Sequence, residues 1–261
     1  MAPVLKSAEE LQLMREAGRI VAIAHEEMRS AIRPGISTKA LDTIALTVLR
    51  DHGAEPCFLG YAPGNHPPFP ATITASINHE LVHGIPSESR MLEEGDIIGL
   101  DVACFYRGLV GDAAFTHPVG EVSRSARRLV DATVAALDAA IKASIVGNKI
   151  SDVAKATAKT ATRSGYSVAR EYTGHGVGRA MHEEPQVPNW WHSKRSQVQW
   201  QDCDLQVGMT YAIEPMLIAG RSELVELDDG WTVATKDGSL TAHFEHTIAI
   251  AEDGPLILTL P

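Results

Sequence analysis

Cysteine is scarce in this 261-residue chain. There are three, Cys57, Cys104 and Cys203, an odd number with no Cys-x-x-Cys pair. That excludes a disulfide scaffold and suits a reducing compartment. Basic residues are also short, 23 against 33 acidic ones for a net charge of −10. A general nucleic-acid or anionic-membrane binder would need the opposite balance, so no specific DNA partner is expected. Long apolar runs are missing: nothing approaches the ~18 residues needed to span a bilayer. The first residues hold no apolar stretch of the secretory kind, so the expected location is the cytoplasm. What is present is an average globular mix, 44% hydrophobic and 21% charged, which excludes disorder and collagen. The length suits one large domain or two small ones with a sizeable core.

Local patterns alternate between helical and extended. Ser7-Ala-Glu-Glu10 reads as a capping box opening a helix to about Ile32, ended by Pro34-Gly35. Ser37 opens a second helix closed by Gly53. Residues 56–70 are a Pro/Gly loop. Strands are expected at 71–77, 96–105 and 109–119, the last two as a hairpin about Tyr106-Arg107-Gly108. Helices follow over about 123–145 and 151–162, then short strands at about 209–214, 217–219, 231–235 and 241–251. The order helix, helix, strands therefore occurs twice. Two related halves, about residues 8–119 and 120–261, would share one antiparallel sheet in an α+β fold with a pseudo-twofold. No low-complexity linker divides them, so a single domain over 1–261 is expected.

Several of these strands carry charge where a core strand should be apolar. Asp101 interrupts Ile97–Val102, Asp112 lies on the return strand, Glu214 follows Tyr211-Ala-Ile213, and Glu245 precedes His246-Thr-Ile248. Asp101 and Asp112 are equidistant from the 106–107 turn, so they are expected roughly opposite each other. Buried carboxylates that close repel unless a cation lies between them or one is protonated. Each acid alone could be a strand-end cap or half of a salt bridge. Four on strands, with no basic residue beside them, point to cations instead. The glycine-rich stretch Gly174-His175-Gly-Val-Gly178 through His182-Glu-Glu-Pro185 lets backbone approach closely and suits a metal or catalytic loop better than a phosphate cradle. His83 is a third candidate. His79-Glu-Leu-Val-His83 has the HExxH form, but it abuts Gly-Ile-Pro after a strand rather than sitting on a helix, which argues against a zincin site. Four carboxylates and one imidazole could hold two divalent ions, and oxygen-rich ligation favours Mn, Fe or Co over a structural Zn. Such a pair of ions activates water and polarises a carbonyl.

Taken together, the segments 76–86, 95–101, 111–112, 174–185, 208–216, 229–233 and 244–248 closely resemble the type I methionine aminopeptidases, in the short bacterial form. The resemblance covers nearly the whole chain. It implies the pita-bread fold, a pseudo-twofold antiparallel sheet with helices packed on its outer face. It also implies removal of the initiator methionine from nascent chains when the second residue is small, by water activated between two divalent ions (Co, Mn, Fe or Zn). The implied metal ligands are Asp101, Asp112, His175, Glu214 and Glu245, with Asp112 and Glu245 bridging. His83 would stand near the scissile amide, His182 on the scissile carbonyl, and Glu214 would also shuttle a proton. The methionine pocket would be formed by Tyr61, Phe69, Thr74, Met181 and Trp231, with Phe58 beside them. Thr74 stands where the family frequently has cysteine, and Met181 where phenylalanine is common. Residues 62–68 and the Trp-rich stretch 188–203 look extended. The latter is either a lid or a packed surface loop, and Lys194-Arg195 within it could touch ribosomal RNA. A monomer acting on peptides at the ribosome, away from membranes, is expected. A proline-specific pita-bread peptidase and a non-catalytic binding homologue are the alternatives.

Overall fold

In the computed structural model, residues 3–192 and 200–261 are described. The first helix, α1 (Ala8–Ala31), starts at Ser7, whose hydroxyl accepts from the Glu10 N–H while the Glu10 carboxylate accepts from the Ser7 N–H. After α2 (Thr38–Asp51) come β1 (Glu55–Pro56), β2 (Ile73–Ile77), β3 (Glu80–Val82), β4 (Ile97–Tyr106) and β5 (Leu109–Pro118). The second run is α3 (Arg124–Ala143), α4 (Ile150–Arg163), β6 (Ser167–Val168), β7 (Thr173–Gly176), β8 (Glu183–Pro188), β9 (Thr210–Ile213) and β10 (Met216–Ile218). Then follow β11 (Leu224–Glu226), β12 (Val233–Thr235), β13 (Thr241–His243), β14 (Glu245–Ala251) and β15 (Gly254–Ile257).

The main sheet runs β1-β4-β5-β14-β9-β7-β8, with β2 added to β4 and β15 to β14. Its two sides meet where β5 pairs β14, Ala114 opposite Glu245 and Ala113 opposite His246. Side chains alternate with the period of two that a strand imposes. Leu100 and Val102 of β4, with Ala113 and Phe115 of β5, pack against Ala17, Val21 and Ala24 of α1. Tyr211 and Ile213 of β9, with Ile248 and Ile250 of β14, pack against Leu137, Ile141 and Val153 of α3 and α4. All four helices therefore cover one face. The close approach of α1 depends on glycine: a Cβ on Gly111 would fall 2.5 Å from the Gly18 nitrogen, and one on Gly18 only 2.2 Å from the Leu258 carbonyl oxygen.

Three expectations change. The hairpin turn is Arg107-Gly108, both left-handed at φ 50° and 81° as a type I′ turn requires. The pairing is therefore displaced: Asp101 faces Ala114 and Asp112 faces Ala103, which makes the two acids diagonal neighbours on one face. The stretch expected as a single strand at 241–251 is two strands in different sheets, divided at Phe244. The glycine-rich stretch expected as a loop begins and ends in strands, β7 and β8, with His175 on β7. Its glycines hid the extended pattern, because they supply no side chains to alternate.

Candidate active site

The uncovered face of the main sheet opens on a cavity of about 570 Å³. Asp101 and Asp112 reach it from β4 and β5, His175 from β7, Glu214 from the step between β9 and β10, and Glu245 from the start of β14. His83, His182, Tyr61, Phe69, Thr74, Met181, Trp231 and Phe58 also line it. The one cavity thus gathers every site residue expected from the sequence. Thr74 sits on β2 directly opposite Asp101.

No Lys or Arg is among the described lining residues. The carboxylates therefore have only one another and neutral imidazoles for company. Burial, reinforced by neighbouring acids, pushes Asp101, Glu214 and Glu245 well above the usual carboxylate range. Asp112 is pushed up to about 7, again by burial, against lowering by hydrogen bonds from Asp101 and the Ala113 backbone. One buried oxygen each of Asp101, Asp112 and Glu245 has no hydrogen-bond partner among the described residues. Orphaned buried oxygens of this kind are costly unless something cationic completes them. Asp112, His175 and Glu245 offer ligand atoms all within 4.8 Å of one another. His175 is prepared for the same role. Its Nδ1 lies 3.0 Å from the Gly176 carbonyl, which can only accept, so the proton sits on Nδ1 and the Nε2 lone pair faces inward. That Nε2 stands 3.5 Å from Glu214 and 3.9 Å from Asp112. Burial holds the ring neutral, its pKa lowered to about 3. A hard divalent cation fits this donor set.

The two other expected histidines are held differently. His83 has a left-handed backbone, φ 62°, uncommon for a residue with a side chain. Arg90 supports it: the guanidinium donates to the Ile85 carbonyl at 2.6 Å and the Ala75 carbonyl at 3.1 Å, and pairs with Glu80. Glu80 lies on a strand and engages Arg90, so the HExxH spelling has no zincin geometry. Burial, then nearby His182 and His66, lowers His83 to about 4. The His182 ring lies 4.2 Å from the His175 ring, tilted 55° to it, with Nδ1 3.3 Å from the Tyr61 hydroxyl. The turn before it is clamped by Glu183, which accepts from the Arg179 and Ala180 N–H groups and from the buried Lys6 ammonium at 2.8 Å. Neither Lys6 nor Glu183 stood out in the sequence, because an ion pair between residues 6 and 183 leaves no local pattern.

The apolar end of the cavity is an aromatic corner. Phe69 meets Trp231 edge-on at 5.1 Å and Phe58 at 6.4 Å. The Trp231 indole donates to the Pro67 carbonyl at 3.0 Å, and His66 lies 5.0 Å from its ring. The 62–68 loop therefore supports Trp231. In the Trp-rich stretch, Trp190 donates to the Arg170 carbonyl and packs on Trp200, which also meets Trp191. Those rings are packed together rather than over the cavity. Lys194 and Arg195 lie outside the described residues. Of the lining residues that the sequence did not single out, His243 stands nearest the carboxylates: it is the last residue of β13, with Nε2 buried and 3.7 Å from Glu214. The available signal was its position two residues before Glu245.

Comparison with known proteins gives one answer. The model of metallopeptidase family M24 matches residues 12–252. A methionine aminopeptidase of Aquifex aeolicus is 44% identical over 260 residues, 99% of each chain. The crystal structure of a methionine aminopeptidase from Thermotoga maritima superposes with a TM-score of 0.93 at 39% identity, over 100% of both chains. A prolidase from Pyrococcus furiosus superposes at 0.77 with 21% identity, covering 99% of this chain and 66% of its own, a likeness of fold. Helices over one face, a carboxylate cavity on the other, and these full-length matches agree: the chain belongs to metallopeptidase family M24 and, within it, to the methionine aminopeptidases.

Proposed function

We propose that this chain removes the N-terminal methionine from peptides and nascent chains whose second residue is small. The observation that carries the reading is the cavity itself, with four carboxylates, Asp112 and Glu245 buried and Asp101 and Glu214 nearly so, and a tautomer-fixed imidazole at one end and an aromatic corner at the other. Asp101, Asp112, His175, Glu214 and Glu245 would hold two divalent cations. When bound, such ions supply an activated water at neutral pH and polarise the scissile carbonyl.

The chain's own groups do the rest. Phe69, Trp231, Met181, Tyr61, Thr74 and Phe58 receive the methionine side chain, for which contact matters more than charge. His182, kept neutral by burial, has its Nδ1 3.3 Å from the Tyr61 hydroxyl; with Tyr61 donating there, Nε2 carries the proton and donates to the oxygen that gains charge. Glu214, whose affinity for a proton is raised by burial, accepts one from the attacking water and returns it to the departing amine. His83 stands at the amide nitrogen.

Two halves, about residues 8–119 and 120–261, make a single catalytic domain on this reading, with Asp101 and Asp112 from the first and the other three ligands from the second. We read it as a monomer acting on chains emerging from the ribosome. The test is release of methionine from Met-Ala-Ser with Mn, Fe, Co or Zn added anaerobically, alongside elemental analysis. Turnover with at least one ion is expected. Folded protein inactive with all of them refutes the reading, and preference for an Xaa-Pro peptide would move it to the proline-specific relatives.

A further inference from the structure

We propose that His243 is a positioning residue for Glu214: its Nε2–H donates to one oxygen of the Glu214 carboxylate and turns the other toward His175. The inference rests on the reading of Glu214 as a metal ligand. The geometry places the carboxylate between two imidazoles, Oε1 at 3.5 Å from His175 Nε2 and Oε2 at 3.7 Å from His243 Nε2.

The two rings differ in where the proton sits. His175 keeps it on Nδ1, against the Gly176 carbonyl, so it meets Glu214 with a lone pair. A lone pair and a carboxylate oxygen at that distance repel unless a cation lies between them. Among the described residues no carbonyl accepts from the His243 Nδ1, and its Nε2 is buried without a hydrogen-bond partner. The nearby carboxylate oxygen is the acceptor that selects the Nε2–H form. Closing the gap to a hydrogen bond of about 2.9 Å needs a shift of under ~1 Å, within the reach of a Glu side-chain torsion.

The ring is built in rather than incidental. His243 is 4% exposed. Thr116 on β5 fixes its backbone from both sides, the hydroxyl donating to the His243 carbonyl at 2.8 Å and accepting from its N–H at 2.9 Å. Asn189 meanwhile donates to the Glu214 backbone carbonyl at 3.1 Å. Glu214 is thus fixed at its backbone, while its side chain lacks any other donor in the described structure. Orientation of a metal-bound carboxylate by a neighbouring donor is worth about 10–100-fold in metal affinity or activity.

The test uses the intact chain loaded with Zn, which leaves NMR signals sharp. Histidine 15N spectra of the wild type should show His243 protonated at Nε2. In parallel, calorimetry should show that H243L binds Zn about 10–100-fold more weakly, and that H243Q, which keeps an N–H within reach, recovers most of the loss. Circular dichroism checks the fold, and if H243L does not fold the wild-type spectrum decides. Protonation at Nδ1, direct ligation of Zn by Nε2, or wild-type affinity in folded H243L overturns the inference alone. Failure of the wild type to bind any Zn sinks the functional reading with it.

Discussion

On β4, Leu100 and Val102 face the helices while Asp101 between them faces the cavity. On β14 the same division separates Ile248 from Glu245. One residue step along a strand changes the side chain's task. The helix side removes apolar surface from water and contributes stability at roughly 25 cal/mol per Å². The cavity side buries charge with no fixed cation of its own, which costs stability and is tolerated for what it can bind. The sheet is thus a stabilising layer on one face and a strained receptor on the other. Substitutions on the two faces should have opposite signatures.

The sharpest break is on the cavity face. On the proposed reading Asp112→Asn removes a metal ligand, so activity on Met-Ala-Ser should fall by at least ~10³-fold, more than loss of a single transition-state donor. The same variant should be more stable than the wild type when both are metal-free, because a buried charge is gone. Denaturant titrations with a chelator check this; a less stable metal-free Asp112→Asn would contradict the division. His182→Ala comes next. It should lower kcat by about 10²–10³-fold with little change in KM, because the hydrogen bond is made to charge that develops in the transition state.

On the helix face, Ile248→Ala should cost about 2–5 kcal/mol of stability, as for other fully buried aliphatics. Zn affinity measured calorimetrically at a temperature where the variant is folded should stay at the wild-type value. An equal loss of both would mean the faces are coupled.

The helix face is the part of the molecule that the sequence makes legible. Apolar spacing and Ser caps at Ser7, Ser37 and Ser123 are local signals, and these helices start within a residue or two of expectation. The acids on β4, β5 and β14 were legible for the opposite reason, as charges where the pattern required apolar residues. What stayed hidden depends on backbone geometry or distant partners. The displaced hairpin follows from two left-handed residues, Arg107 and Gly108; the strands β7 and β8 from a glycine-rich stretch; Glu183 from its pairing with Lys6; and His243 from a strand break at Phe244.

A graded effect should separate the faces by pH. Asp112 has a native pKa raised to about 7 by burial, against an ordinary 3.8. Between those values the native state holds a proton that the unfolded chain has released, so this group's contribution to stability falls as pH rises. The buried histidines, lowered to about 3 for His25, His175 and His243 and to about 4 for His83 and His246, act in the opposite sense at lower pH. The difference between metal-free Asp112→Asn and wild type isolates the carboxylate. It should be near zero at pH 4 or below, grow through neutrality, and level off above about 7. The stabilisation conferred by added Zn should rise over the same range as protons stop competing for the ligands. A difference flat in pH would mean that Asp112 is not the buried charge described.

The smallest effect expected is none at all, and it concerns thiols. The cavity wall carries Thr74, opposite Asp101, while Cys57 and Cys104 are buried behind it. Burial pushes the Cys104 thiol up to about 12, with Asp112 adding to the shift, and raises Cys57 for the same reasons. Thiolates, the reactive form, are therefore suppressed at both; Cys203 is half-buried, its pKa also raised by burial, and it does not line the cavity. Treatment with a thiol-directed reagent should leave turnover of Met-Ala-Ser unchanged. Thr74→Cys should then gain sensitivity, with substrate protecting against it, since that side chain would place a thiol on the cavity lining, where the other sulfurs are the thioethers of Met181 and Met216. Inactivation of the wild type traced to Cys57 would show that the wall opens, and that the two faces are less separate than the packing implies.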